Sequence, residues 1–553
     1  MPKFTHRSFL RRATLMSLVG GLGLTGAAVL PASASANSSQ LSIIQDGSAF
    51  SNPAGAFKNF RSIGANTVRV IVEWAAIAPN AESSHKPNGF NASDPNAYPS
   101  GNWTGLDNLV RAATANHVNV DLTVSGGAPL WAEGKGVPKQ GRNVNFAWKP
   151  NAAAYGQFVS AIGKRYNGSF TPKTGGGKLP AVKFWAIYNE PNFGEDLGPQ
   201  AVDGSRISVA PMMFRGLLNA GWKALQQYHK HQTIIWGEFA ARGNTFHRPW
   251  NKAPQGLPGN YGQTKPLLFL RTLYCVGTND RPLRGGAARA VGCPTTAAAA
   301  RSFRAHNPAL FNASGVSDHP YADHGSPVRD GLNDPNFAAF PALGKFGREL
   351  DRLTGTYGGH PHFAIYNTEY GYITHPPSHA PYVSPNTAAS YINWAEYISY
   401  KNRRIKSYMQ YLLTDPPANA GPYAGFASGL EKANGAPKAT FYAYRMPLYL
   451  PHTSFSHKSA VEVWGAARPA PFAALDGFGL QRARLQFKAA HAGWKTLTTF
   501  KVNHAGGYYD LHVKFAKSGQ VRVQWTFPTS DSLFNATLHG FTASSRAVSI
   551  KVH

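Results

Sequence analysis

The chain has 553 residues, 43% of them hydrophobic and 12% aromatic, which is the composition of a globular protein of two or three domains rather than of a disordered chain. Lys and Arg total 55 against 27 Asp and Glu, a formal net charge of +28. Such a charge bears on solubility and attraction for anions, not on fold. No zinc-finger pattern, RNA-binding signature or dense Lys/Arg run follows residue 12, so no specific nucleic-acid partner is expected. A scattered basic surface, or an anionic polysaccharide or cell surface as partner, remains.

Residues 1–36 read as a signal peptide. Lys3, Arg7, Arg11 and Arg12 make a positive start without an acid, Leu15 to Leu30 is apolar, and Ala34-Ser35-Ala36 or Ala32-Ser33-Ala34 offers a small-x-small cleavage site. Arg11-Arg12-Ala13-Thr14-Leu15 partly matches a twin-arginine signal but lacks the aromatic after the pair, so the export route stays open. No later run is long enough to cross a bilayer. A secreted, extracellular protein is expected, and there the pair Cys275 and Cys293 reads as a disulfide.

From residue 37 the elements alternate. Leu41 to Gln45 is a short first strand, and Pro53 opens a helix to about Ile63. The β-branched run Asn66 to Trp74 fits a buried parallel strand. A helix near Leu106–Asn116 leads to a third strand, His117 to Val124. A helix over Ala152–Tyr166 leads to a fourth, Val182 to Tyr188, stopped by Asn189-Glu190-Pro191 because proline cannot donate to a ladder. A helix over Pro211–His229, a strand Thr233–Glu238, a long loop with both cysteines and a strand Gly315–Tyr321 follow. A helix over 337–354 leads to His362–Asn367, then Thr368-Glu369. A helix over 386–401, a strand Ile405–Leu413 and a helix near Lys438–Leu448 close the set. Eight strands alternating with helices predict a (β/α)8 barrel, a TIM barrel, over 37–450. A doubly wound sheet would need a glycine-rich phosphate turn after strand one, and Gln45-Asp46-Gly47-Ser48 is not one. Short alternating runs beyond Pro451 predict a C-terminal β-sandwich over 451–553.

In such a barrel, chemistry sits at the C-terminal ends of the strands. Glu190 and Glu369 stand there on strands four and seven, which face each other across the mouth. Two carboxyl groups held roughly 5 Å apart suit retaining glycoside hydrolysis, one protonating the leaving oxygen and the other attacking the sugar carbon. Arg69 interrupts an apolar strand, and a buried arginine needs a carboxylate partner. Glu238, ending strand five, reads as a loop glutamate or as a third site carboxylate. Trp131 and Tyr372 are the best-placed stacking platforms for sugar faces, whereas Trp185, within a strand, reads as core. No His-Glu-x-x-His helix and no Gly-x-Ser-x-Gly elbow occur, so neither a metal site nor an esterase is expected, and no cofactor is required.

Asn66-Thr-Val-Arg69-Val70, Ile187-Tyr-Asn-Glu-Pro-Asn192, His319-Pro-Tyr321 and Asn367-Thr-Glu-Tyr-Gly371 resemble the clan A glycoside hydrolases. Asn66–Val70 is most similar to family 5, the cellulase-like enzymes, and Ala128-Pro-Leu-Trp-Ala132 to the family 39 group. The resemblance implies Glu190 as acid/base, Glu369 as nucleophile, Asn189 on the sugar 2-hydroxyl, Arg69 keeping Glu369 ionised, and His319 and Tyr321 orienting the site. The chain departs from family 5 in two places, which bear on sugar specificity. Ser125-Gly126 stands where a histidine follows strand three, and Gln410 and Tyr411 are nearest to the tryptophan expected after strand eight. The expectation is a retaining glycosidase acting on a β-linked oligo- or polysaccharide, with a transglycosidase or a non-catalytic carbohydrate-binding barrel as alternatives.

Overall fold

The computed structural model describes residues 30–31, 37–137, 146–201, 207–244, 261–322, 324–329, 331–379, 382–419 and 425–553. The signal peptide expected over 1–36 lies outside them, apart from Leu30–Pro31. Among the described residues no helix is long and apolar enough to cross a membrane.

Eight parallel strands form the barrel: β1 (Leu41–Gln45), β2 (Thr67–Glu73), β3 (Asn119–Ser125), β4 (Phe184–Ile187), β5 (Thr233–Ala240), β6 (Gly315–His319), β7 (Ala364–Asn367) and β8 (Ser407–Tyr411). Each neighbours the next, and β1 pairs with β8. The ring closes between β7 and β8. Ile365 N donates to the Arg404 carbonyl at 2.9 Å, and Lys406 N donates to the Ile365 carbonyl at 2.8 Å. Ser407 Oγ donates to the Asn367 carbonyl at 2.8 Å. The predicted (β/α)8 architecture is therefore the observed one.

The strands are β-branched and apolar because both faces are covered. Outward-facing Val68, Val70, Leu122, Trp185 and Trp236 pack under the helices, while Ile43, Phe184, Ala186, Ile235 and Met409 fill the interior. The helices are cut by local chemistry. Asn52 caps the helix Pro53–Ile63 by accepting from Gly55 N, Pro53 opens it, and Gly64 ends it in the left-handed region at φ 78°. Some boundaries differ from expectation. β6 ends at His319 because Pro320 follows it. β7 starts at Ala364 because His362 adopts φ 42° and cannot extend a strand. The helix expected over 337–354 begins at Leu343, after a 3-10 turn at Phe340–Ala342.

The remaining strands are antiparallel apart from the pair β10 and β17: β9 (Leu448–Tyr449), β10 (Ser454–Phe455), β11 (Ala460–Ala466), β12 (Gln481–Ala489), β13 (Lys495–Val502), β14 (Tyr508–Lys514), β15 (Gly519–Thr526), β16 (Thr542–Ser544) and β17 (Val548–Val552). One sheet orders Leu30–Pro31, β14, β11 and β9; the other orders β10, β17, β15, β12 and β13, with β16 on β15. Val463, Val513, Leu485, Val521 and Val523 lie in the core between them. The outer side of the first sheet docks on the barrel helix Pro385–Lys401, where Trp464 and Tyr508 meet Tyr397 and Tyr400. Arg468 bridges this junction, donating to Glu396 (2.6 Å), Ser42 (2.7 Å) and the Tyr444 carbonyl (2.7 Å), while Tyr508 Oη donates to Glu396 at 2.7 Å. Cys275 and Cys293 form a disulfide in the excursion between β5 and β6.

Candidate active site

The polar centre of the barrel mouth is built on Arg69. All of its donor nitrogens are engaged. Nη1 donates to Gln45 (2.7 Å) and Glu369 (2.5 Å), Nη2 to Asn189 (2.7 Å) and Glu238 (2.5 Å), and Nε to Glu238 (3.3 Å). One guanidinium thus sets the spacing of four strands through a planar fork that lysine lacks. Burial alone would weaken its charged form, but Glu238 and then Glu369 outweigh burial and raise its pKa.

Glu238 is not a loop residue. It lies inside β5, fully buried, and its carboxylate takes both Arg69 bonds plus one from Thr123 Oγ1 at 3.0 Å. Gly237 at φ 119° and Glu238 at φ 46° bulge the strand, and the register with β6 shifts between Trp236 and Phe239. The bulge turns Glu238 inward, and Ser317 Oγ accepts its N–H at 2.9 Å. With no surface, Glu238 is a structural counter-ion and cannot touch a ligand.

Glu190 and Glu369 differ from it in being reachable, with side chains 17% and 11% exposed. Glu190 follows β4 in a strained turn, with Tyr188 at φ 72° and Glu190 at φ 36°. Several bonds hold the turn. Tyr188 N donates to the Val124 carbonyl (3.0 Å), Glu190 N to the Glu238 carbonyl (3.1 Å), and Tyr188 Oη to the Asp196 carbonyl (2.9 Å). Glu369 follows β7. Its Oε1 accepts from Arg69 and its Oε2 from Tyr321 Oη at 2.9 Å. His319 lies between the two, with Nδ1 2.9 Å from Glu190 Oε1 and 3.6 Å from Glu369 Oε2. Ligating atoms of Glu190, His319 and Glu369 all lie within 4.8 Å of one another, so the two carboxyl groups share one small space. A cation there would compete with Arg69 for Glu369.

The environment separates the two acids. Burial, then the Glu369 charge and Asp196, push Glu190 well above the ordinary carboxyl range. Burial and Arg69 hold His319 well below its usual value, so the imidazole beside Glu190 is neutral. Glu369 instead has a cation and a hydroxyl on its two oxygens. One group is thereby suited to carry a proton and the other a negative charge.

Asn189 is fixed from both ends. Its Oδ1 accepts from Arg69, its Nδ2 donates to Asp196 Oδ1 at 3.2 Å, and its backbone N–H donates to Ser125 Oγ at 3.2 Å. The remaining expected site residues lie elsewhere. Tyr372 is a correction: it is 2% exposed, its hydroxyl donates to the Gly325 carbonyl at 3.1 Å, and it packs on Tyr391, so it is core rather than a platform. Trp131 is half-buried, edge-on to Trp74 and Phe90, with its indole N–H on the Pro79 carbonyl at 3.0 Å. Those contacts brace the loop after β3. Trp185 is fully buried. Tyr411, ending β8, packs edge-on against Tyr321 and Phe426, an aromatic wall beside Glu369.

Sequence reasoning missed Gln45, Thr123, Ser125, Ser317, Asp196 and Asp121. Asp121, Thr123 and Ser125 sit at alternate positions of β3, a period-two polar stripe in an otherwise apolar strand. That stripe was a readable signal. Asp196, in the loop after β4, has none. Burial pushes it up to about 8 despite the Asn189 bond, and Glu369 adds to the effect.

No protein-family model and no curated protein matches the chain. Solved structures do. A family 39 glycoside hydrolase from the gut symbiont Bacteroides cellulosilyticus WH2 is 13% identical, with 86% of this chain and 80% of that one covered at a TM-score of 0.45. A glucosidase from Croceicoccus marinus is 13% identical over 89% and 97% of the two chains, also at a TM-score of 0.45. An endo-beta-1,4-mannanase from Thermotoga petrophila is 10% identical over 93% and 98%, at a TM-score of 0.39.

Proposed function

We propose that this chain is a secreted, retaining glycoside hydrolase acting on a β-linked oligo- or polysaccharide. The observation that carries the reading is the pair of reachable carboxyl groups, Glu190 and Glu369, with oxygens within 4.8 Å. Such closeness suits a nucleophile that attacks the sugar directly and leaves no room for a water between. Glu190, protonated and against neutral His319, gives its proton to the leaving oxygen. Glu369, held by Arg69 and Tyr321, attacks the anomeric carbon and forms a glycosyl ester. Glu190, now a carboxylate, takes a proton from water, which attacks the same carbon and releases Glu369. Asn189, locked between Arg69 and Asp196, presents its amide to the sugar 2-hydroxyl. The disulfide supports an oxidising compartment and, with the leader-like residues 1–36, export.

The test is reducing-sugar release from a panel of β-linked glycans, acidic ones included, by the wild type and Glu369→Ala. Release by the wild type alone is expected, with at least a thousandfold loss in the variant. Equal release by both removes Glu369 from the mechanism. A chelator is expected to leave turnover unchanged; loss of activity on chelation with recovery on adding a divalent ion would make the Glu190–His319–Glu369 cluster a metal site instead.

A further inference from the structure

The C-terminal sandwich has one sheet face whose side chains are largely exposed among the described residues. Its first sheet docks outward on the barrel helix and inward on the second sheet, and the second sheet's other side carries exposed side chains. The alternation of burial along the strands shows which residues stand on it. On β12, Ala483 and Leu485 are buried while Arg482 and Arg484 are exposed; on β15, Val521 and Val523 are buried while Gln520 is exposed.

The register aligns these outward residues in rows. Arg482 stands beside Lys501, and Arg484 between Thr499 and Gln524. Gln486, buried and bonded to both, stands between Thr496 and Arg522, and Lys488 beside Gln520, which adjoins Ser549. Lys551 follows two residues on. Rows are about 6.6 Å apart along a strand and about 4.8 Å apart between strands. The only acids between Gln481 and His553 are Asp510 and Asp531. Neither is on this face. Asp510 belongs to β14 in the first sheet, near Lys401, and Asp531 is buried near Arg61.

We propose that this face binds an anionic polysaccharide, one bearing carboxylate groups, and holds it while the barrel works. Charge complementarity selects a polyanion, because six cations meet no acid. The chemistry between the cations selects the kind of polyanion. Threonine, serine and glutamine fill the gaps, and their hydroxyl and amide groups match sugar hydroxyls. A single-stranded nucleic acid would want several open aromatic faces for its bases, and the nearby Trp494 ring has one face taken by the Arg522 guanidinium at 4.2 Å. An anionic membrane would want protruding apolar side chains interleaved with the cations; within the rows Leu497 stands out, at 37% exposure, while the exposed Leu475, Phe478 and Leu480 precede β12. The proposal rests on the hydrolase reading only in taking the polymer to be a carbohydrate.

Affinity of the full chain for polygalacturonate, for its fully methyl-esterified form and for a double-stranded DNA oligonucleotide tests this. The triple variant Arg482→Ser/Arg484→Ser/Lys501→Ser is compared with Lys173→Ser/Lys178→Ser/Lys230→Ser, which removes the same charge from the barrel surface. Expected is measurable binding to polygalacturonate, little to the ester, at least a tenfold loss in the sandwich variant and less than twofold in the barrel variant. An unchanged melting temperature confirms that both variants fold. Equal loss in both, no binding to polygalacturonate, or tighter binding to DNA that the sandwich variant abolishes would each overturn the proposal. Binding is read without turnover, so failure here and failure of the hydrolase reading are separate results.

Discussion

Arg69 serves two carboxylates that do different things: Glu238, sealed in the barrel, and Glu369, open to the mouth. Replacing it with methionine leaves Glu238 with Thr123 but without its cation, and breaking a buried pair costs about 3–5 kcal/mol. Arg69→Met is therefore expected to lower the melting temperature and abolish turnover together, while Arg69→Lys keeps a charge but cannot reach all five acceptors. The Glu190 shift predicts a pH profile. Its pKa is raised in the fold, so its proton persists to higher pH than the ordinary 4.5, and activity is lost as pH climbs through the raised value. After burial, Glu369 is the largest cause of that rise. Glu369→Gln should therefore lower the Glu190 pKa, read as its carboxyl 13C shift against pH; an unchanged or higher value would contradict the shared space. Glu190→Ala should harm substrates with poor leaving groups most, and equal loss on activated aryl glycosides would argue against its acid role.

At the scale of elements, Gly126 accounts for the departure after β3. A Cβ there would run into the Tyr188 hydroxyl and press on the Asp196 carbonyl, so no side chain fits where a histidine was expected. Gly126→Ala should push the Tyr188–Glu190 turn out of place, and displacement by about 1 Å costs on the order of a hundredfold in kcat/KM. Full activity would show that the turn has slack. Much of this was legible beforehand. The strand ends carrying Glu190 and Glu369 could be read from Pro191 and from β-branched runs, and Arg69 from its intrusion into one. Glu238 was misread because the bulge at Gly237 is set by pairing with β6, which no local pattern announces. Tyr372 was misread because an aromatic near a strand end can face inward or outward, and only the packing against Tyr391 decides. The disulfide closes an 18-residue separation between β5 and β6. Its removal in Cys275→Ser/Cys293→Ser is expected to cost about 3 kcal/mol, seen as a lower melting temperature with kcat retained.

As a whole molecule, the barrel and sandwich share a buried junction. Arg468 and Glu396 are both buried at the junction, and Tyr508 and Trp464 of the sandwich pack on Tyr400 of the barrel helix. Calorimetry should show a single unfolding transition, and Arg468→Met should lower it by leaving Glu396 buried beside Tyr508 without its cation. Two well-separated transitions would contradict this coupling.

The central claim is that Glu190 and Glu369 work by two displacements at one carbon. Proton NMR of the first product formed from a β-linked substrate tests it most directly, before the free sugar mutarotates. The account predicts that the β-anomer appears first and the α-anomer grows in later. An α-anomer appearing first would mean that water attacks directly, and would contradict the roles assigned to the pair.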